Sequence, residues 1–229
     1  MTGVGSTEPA KSGAAGSAGG GADPDPRTAL VGAGYDAMVD TWEAWAAQIH
    51  DEPRHAWAAD LAARLPEGAR VLELGCGGGT RETRELAERF ALTGLDLSER
   101  QLERARMRVP NATFLLGDLT SAEFDAGSFE AVVSFYVFNH VPRDLLPGVL
   151  ARIHGWLAGG GHLMAAFGTS DLAAWEGDFL GAPTHFSSFT PNVNSRLVAD
   201  AGLAILRDEV VAIAEPEGPT HFQWILARR

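Results

Sequence analysis

Three carboxylates, Glu73, Asp96 and Asp118, stand at or near the ends of short apolar runs. The first precedes the glycine stretch Gly75-Cys76-Gly77-Gly78-Gly79. Glycines at such a bend let backbone approach a ligand closely, and a helix start just beyond offers unpaired N–H groups. A carboxylate at a strand end can accept both hydroxyls of a ribose, or the amino group of an adenine. Acids at successive strand ends also create a negative field, which suits a cationic ligand better than a pyrophosphate. The dinucleotide fingerprint G-x-G-x-x-G requires glycine at position 80, but Thr80 stands there and the loop reads G-x-G-x-G. An NAD-dependent dehydrogenase is therefore the alternative reading. Cys76 is expected to be a small packing residue. No His, Cys and Asp cluster has metal-ligand spacing, so no metal is expected.

His140, directly after Asn139, and His185 are the candidate catalytic bases, while His221 reads as structural. A base is needed only if the group being modified is protonated at working pH. His185 falls within residues 168–190, a connection of 23 residues. Connections of that length are usually lids or binding loops. Trp175, Phe179, Phe186 and Phe189 in that segment could cover a hydrophobic molecule. Trp42 and Trp45, three apart on an N-terminal helix, would complete such a chamber.

These residues need a scaffold. Apolar residues at three- and four-residue steps predict a helix from Gly34 to about His50, and a second follows Pro53 to about Leu65. From Arg70 onward short apolar runs alternate with helical stretches. Strands are expected at Val71 to Leu74, Leu92 to Leu95, Ala112 to Leu116, Phe129 to Phe135 and His162 to Phe167. Helices are expected from Thr80, from Ser98 with Gln101 completing a capping box, from Asp144 and from Pro191. This alternation predicts an α/β sheet with helices on both faces. Leu203 to Ile213 and Thr220 to Ala227 are separated by too few residues for a crossover, so they must form an antiparallel hairpin.

The chain has 229 residues, 45% hydrophobic and 21% charged, enough for one domain with a sizeable core. Residues 1–27, rich in Gly, Ser and Ala, are expected to be a disordered tail without the features of a signal peptide. Residues 28–229 would form the domain, with a helical N-terminal cap over 28–66. The formal net charge of −12 disfavours nucleic acid and anionic membranes as partners. Arg100, Arg104, Arg106 and Arg108 read as a solvated helix face. A single cysteine excludes an intrachain disulfide and fits a cytoplasmic setting.

The stretches Val71 to Gly79 (VLELGCGGG), Leu92 to Ser98 (LTGLDLS), Phe114 to Leu119 (FLLGDL), Phe129 to Pro142 (FEAVVSFYVFNHVP) and Leu157 to Met164 (LAGGGHLM) resemble the class I S-adenosylmethionine-dependent methyltransferases in order and spacing. The resemblance runs from about Gly34 to Arg229. It implies a three-layer, Rossmann-like, seven-stranded sheet, mostly parallel with an antiparallel C-terminal hairpin. It further implies that Gly75, Cys76 and Gly77 line the methionine part of S-adenosylmethionine and that Glu73 helps hold its amino group. Asp96 would take the ribose hydroxyls, Leu97 would pack on the adenine, and Asp118 and Leu119 would face it. Ser134, Phe135 and Tyr136 would approach the sulfonium, and Tyr35 would close over the cofactor. Gln101 stands where the family commonly has a bulky apolar residue. The activity expected is methyl transfer to a small-molecule acceptor, O-methylation being favoured over N or C. Trp42, Trp175, Phe179 and Phe186 would bind an apolar or aromatic acceptor, such as a secondary metabolite. A cofactor-binding member of the fold that catalyses another reaction is a further alternative.

Overall fold

Val71, Leu72 and Leu74 are wholly buried, because a strand covered on both faces is apolar throughout instead of alternating. They lie in β1 (Arg70–Leu74), an interior strand of the sheet. The computed structural model describes residues 16–17, 24–50 and 53–229, so most of the expected 1–27 tail lies outside the described residues. Before β1 come α1 (Pro26–Ala37), α2 (Val39–Ala46) and α3 (Arg54–Ala62). After it come α4 (Arg81–Arg89), β2 (Ala91–Asp96), α5 (Glu99–Arg108), β3 (Thr113–Leu116), β4 (Phe129–Ser134), α6 (Leu146–Trp156) and β5 (Leu157–Gly168). The chain continues through β6 (Leu172–Phe179), β7 (Ala182–Ser188), α7 (Pro191–Asp200), β8 (Ala204–Glu215) and β9 (Gly218–Arg228).

Seven strands pair in the order β8-β9-β5-β4-β1-β2-β3. The five from β5 to β3 are parallel, while β9 runs antiparallel to both β5 and β8. One face buries Trp57, Leu61, Leu86, Leu102 and Trp224; the other buries Leu150, Ile153, Trp156 and Val198. Helices thus cover both faces, as the alternation predicts. No helix among the described residues is long and apolar enough to cross a membrane.

Three local expectations are corrected. The single helix expected from Gly34 to His50 is two helices, broken at Met38, which lies outside the α-helical region at φ −96° and ψ 12°. The apolar spacing continues across the break and hides it. The first helix starts at Pro26, inside the expected tail, with the Asp25 side chain accepting the Arg27 N–H at 2.9 Å. Pro at the first helical position was the signal for that start. The long connection over residues 168–190, for which no strands were expected, contains a hairpin in which β6 and β7 pair antiparallel.

The one capping box expected, at Ser98, is not formed, while an unexpected one stands at Thr80. At α4, Thr80 and Thr83 exchange backbone and side-chain hydrogen bonds at 3.2 and 3.0 Å. At α5, Gln101 N–H donates to Ser98 Oγ at 3.1 Å, but Ser98 N–H donates to Asp96 Oδ1 at 2.9 Å in place of the Gln101 side chain. Nor are the α5 arginines simply solvated. Arg104 and Arg108 each meet Glu43 at 2.7 Å, Arg104 also pairs with Asp40, and Arg100 donates to the Asp36 carbonyl at 2.7 Å. These contacts fasten α1 and α2 onto α5.

Candidate functional site

The order of the sheet reverses at β1, whose neighbours β2 and β4 lie on opposite sides. In open α/β sheets a crevice forms at the carboxyl ends of the strands at this point. The glycine loop occupies it. Gly75, Gly77 and Gly79 all have positive φ (67°, 53° and 75°), which accounts for the G-x-G-x-G spacing. Gly75 and Cys76 N–H groups both donate to the Leu95 carbonyl at 2.7 and 3.3 Å. Gly77 N–H donates to Asp96 Oδ2 at 2.8 Å. The loop is thereby tied to the end of β2, and Asp96 is held between Gly77 and Ser98. Burial pushes the Asp96 carboxyl above its usual range, against the pull of the backbone N–H groups of Ser98, Gly77 and Leu97. Cys76 is buried, and burial holds its thiol protonated, in keeping with a packing role.

Glu73 is 1% exposed at the floor of the cleft. Thr83 Oγ1 donates to its Oε1 at 3.1 Å, and Oε2 has no hydrogen-bond partner among the described residues. Burial pushes its carboxyl up to about 8, opposed by Thr83 and by the Arg54 charge, with Glu82 and Asp96 adding to the rise. The folded protein therefore keeps this proton to higher pH than the unfolded chain. The contribution is complete below the unfolded value and is lost as pH rises through about 8. Glu73→Gln is expected to flatten that part of the stability curve in thermal melts between about pH 5 and about pH 8. An unchanged slope would show that Glu73 does not carry it.

Two more elements close the cleft. After β3, Asp118 Oδ2 accepts the Thr28 hydroxyl at 2.6 Å and Oδ1 accepts the Thr120 N–H at 2.7 Å. Thr28 lies on α1, so the helix is pinned directly to this acid. A Cβ on Gly34 would stand 2.5 Å from the Pro183 carbonyl oxygen, so only glycine lets α1 sit this close to β7. Further along α1, Tyr35 Oη lies 2.9 Å from His140 Nε2, and His140 Nδ1 lies 2.9 Å from the His185 carbonyl oxygen. The carbonyl can only accept, so Nδ1 carries the proton and Nε2 accepts from Tyr35. Burial pulls the His140 imidazole down to about 4 and pushes the Tyr35 hydroxyl up, leaving both neutral at pH 7.

Tyr35, Trp42, Arg54, Tyr136 and His140 line both the cleft, of about 130 Å³, and an adjoining chamber of about 870 Å³. The chamber wall is a chain of aromatic contacts. Tyr35 meets Trp42 edge-on at 5.4 Å, Trp42 stacks on Trp45 at 5.2 Å, and Trp45 meets Phe179 edge-on at 5.7 Å. Phe179 meets Phe186, which contacts both His140 and Trp175. Trp45 Nε1 donates to both carboxylate oxygens of Glu217, each at 3.0 Å. Glu217 sits in the turn between β8 and β9, so the C-terminal hairpin braces a wall built by the N-terminal helices. Glu217→Ala is expected to weaken the near-ultraviolet circular dichroism of the Trp42–Trp45 pair. It should lower the melting midpoint by about 2–4 °C, the effect of losing about 1 kcal/mol at an exposed carboxylate. An unchanged near-ultraviolet spectrum would show that Trp45 holds its place without the contact.

Of the residues singled out in the sequence, Tyr35, Glu73, Gly75, Cys76, Gly77, Asp96, Leu97, Asp118, Leu119, Phe135 and Tyr136 all line the cleft. Tyr136 has positive φ (58°), a strained state for a non-glycine residue that recurs at functional sites. Trp42, Trp175, Phe179 and Phe186 line the chamber. Ser134 lines neither: it is wholly buried, paired between β1 and β5. The His185 side chain also lies outside both cavities, 1% exposed, with Nδ1 3.5 Å from Glu176 Oε1; only its carbonyl reaches His140. Sequence reasoning missed Thr28, Arg54 and Glu217. Arg54 lies over the rings of Phe135 and Tyr136 at 5.3 and 5.0 Å. No local pattern marks any of the three, since each acts across a long sequence separation. Among the described residues no group of three or more His, Cys, Asp or Glu is placed to hold a metal ion.

Residues 71–161 match the family model described as a methyltransferase domain. Over 123 residues the chain is 41% identical to trans-aconitate 2-methyltransferase of Variovorax paradoxus, covering 51% of this chain and 47% of that protein. It is 30% identical over 130 residues to dTDP-4-amino-2,3,4,6-tetradeoxy-D-glucose N,N-dimethyltransferase of Saccharopolyspora spinosa, covering 47% of this chain and 51% of that one. The chain spans about half the length of the curated relatives it matches. Among solved structures, the 1,6-didemethyltoxoflavin-N1-methyltransferase of Burkholderia thailandensis, with bound 1,6-didemethyltoxoflavin and S-adenosylhomocysteine, superposes with a TM-score of 0.64. It is 22% identical, and the match covers 86% of this chain and 84% of that one.

Proposed function

We propose that this chain, which has the fold of the class I S-adenosylmethionine-dependent methyltransferases, transfers a methyl group from S-adenosylmethionine to a small aromatic acceptor. The observation that carries this reading is the Asp96 carboxylate, fixed by Gly77 and Ser98 in one cleft with Glu73 and Asp118 and opening onto an aromatic chamber. The residues fit the nucleoside. Asp96 can accept ribose hydroxyls, Leu97 can pack on the adenine, and Asp118 and Leu119 lie where its edge would be read. Gly75, Cys76 and Gly77 leave room for the methionine part, and Glu73 Oε2, unpartnered among the described residues, can accept from its ammonium group, whose charge would favour the ionised carboxylate. The faces of Tyr35 and Tyr136 suit a cation.

When bound, the cofactor supplies a methyl group on a positively charged sulfur for in-line displacement. Alignment and a dry site then account for most of the catalysis. The aromatic wall excludes water and holds a flat acceptor beside the cleft. His140 favours oxygen as the atom modified. It is neutral, its Nδ1 proton is committed to a carbonyl, and its Nε2 lone pair faces Tyr35. The acceptor hydroxyl would give its proton to Tyr35 Oη while the Tyr35 proton passes to His140 Nε2, leaving an acceptor oxygen able to displace the methyl group from its sulfur. The aromatic lining of the chamber suits a flat hydroxyl acceptor, such as a phenol or enol.

Incubation with methyl-labelled cofactor and a panel of phenols and enols tests this. Products should be heavier by one CH₂, with one S-adenosylhomocysteine formed per product. A protein that binds neither S-adenosylmethionine nor S-adenosylhomocysteine would overturn the reading. His140→Ala is expected to lower kcat about 100-fold on a hydroxyl acceptor. S-adenosylhomocysteine affinity, measured by calorimetry, should stay within a few-fold. Equal losses in turnover and affinity would make His140 a wall residue, not a base.

A further inference from the structure

Gln101 is the third residue of α5, where a Ser-x-x-Gln pattern directs its side chain back to the Ser98 N–H. Asp96 Oδ1 already accepts that N–H, so the carboxamide turns away from its own helix end. It lines the cleft and Gln101 is 1% exposed. Neither Oε1 nor Nε2 has a hydrogen-bond partner among the described residues. Oε1 lies 3.0 Å from the point where a Cβ on Gly78 would stand, and 4.0 Å from that point on Gly77. The head group therefore lies over the glycine loop near Gly77, the residue whose N–H holds Asp96. A buried amide without partners is destabilising, and an apolar side chain of the same size would avoid that cost.

We propose that Gln101 is a nucleoside-binding residue that hydrogen-bonds the ribose held by Asp96; this rests on the cofactor reading above. A ribose hydroxyl is both donor and acceptor, whereas a carboxylate only accepts. Once the hydroxyl hydrogens point at Asp96, their oxygens keep lone pairs in a buried cleft and require a donor. Gln101 Nε2 carries two N–H groups, and Gln101 lines the same cleft as Asp96. The adenine edge has its own acceptor at Asp118, beyond β3, so the ribose is the part of the nucleoside that faces Gln101.

The test is titration calorimetry with S-adenosylhomocysteine and its 2′-deoxy and 3′-deoxy analogues, on the wild type and Gln101→Met, which keeps length and volume. Gln101→Met should weaken S-adenosylhomocysteine about tenfold. The penalty should shrink towards unity for the analogue lacking the hydroxyl that Gln101 holds. Without ligand, the variant should melt at or above the wild-type temperature, because a buried polar group has been replaced by an apolar one. The proposal is overturned if Gln101→Met binds S-adenosylhomocysteine as tightly as the wild type, or loses the same factor against all three ligands. In both cases wild-type binding leaves the cofactor reading standing. Absence of wild-type binding overturns the two together.

Discussion

Asp96→Ala is expected to weaken S-adenosylhomocysteine binding by at least about 100-fold in calorimetry, since each hydrogen bond to a buried charge contributes about 1.5–3 kcal/mol. The loss has two sources. The ribose hydroxyls lose their acceptor, and the N–H groups of Gly77 and Ser98 lose theirs, at 2.8 and 2.9 Å. The second loss loosens the glycine loop and the start of α5 even without ligand, so the melting midpoint should fall as well. Asp96→Asn separates the two sources. It keeps one carbonyl oxygen for the backbone but turns the other position into a donor, so binding should suffer more than stability. Near wild-type affinity in Asp96→Ala would remove the acid from the cofactor site and, with it, the main support for methyl transfer.

Gly75→Ala should be as damaging, for steric reasons. Its φ of 67° strains any L-residue with a side chain, and the added Cβ would stand 2.2 Å from Val137 Cγ2 and 3.1 Å from Val137 Cβ. Valine is stiff at χ1 and cannot simply swing aside, so the loop itself must move. Left-handed strain of about 1 kcal/mol plus overpacking of about 1–3 kcal/mol gives about 2–4 kcal/mol, or a midpoint lowered by roughly 5–15 °C. Cofactor affinity should fall with it, because Gly75 and Cys76 N–H groups anchor the loop to Leu95. Gly75→Ala with Val137→Ala should recover the overpacking part and leave the backbone strain. Gly155→Ala is the control: it lies in α6 with nothing within 4 Å of the new Cβ, and should be neutral or slightly stabilising. If Gly75→Ala melted and bound as the wild type does, the loop would be more pliable than its contacts imply.

The fold was legible in the chain because its central strands are continuous apolar runs and its C-terminal hairpin follows from loop length. Both are local facts. The acids of the cleft were legible for the same reason, since Glu73, Asp96 and Asp118 each belong to a strand end or the turn after it. The break at Met38 was not, because apolar spacing runs through it. The hairpin within 168–190 was missed because few of its residues alternate cleanly between buried and exposed.

Sequence alone determined the sheet, the G-x-G-x-G bend and the three acids, since hydrophobic period and glycine spacing act within a few residues of one another. Tertiary structure alone decided which side chains meet. It joined Thr28 to Asp118, Tyr35 to His140 and Trp45 to Glu217, and it turned His185 away from the chamber and Gln101 into the cleft. Those contacts join residues far apart in the chain, up to 172 positions for Trp45 and Glu217. Their geometry depends on packing, and no periodicity along the chain encodes it.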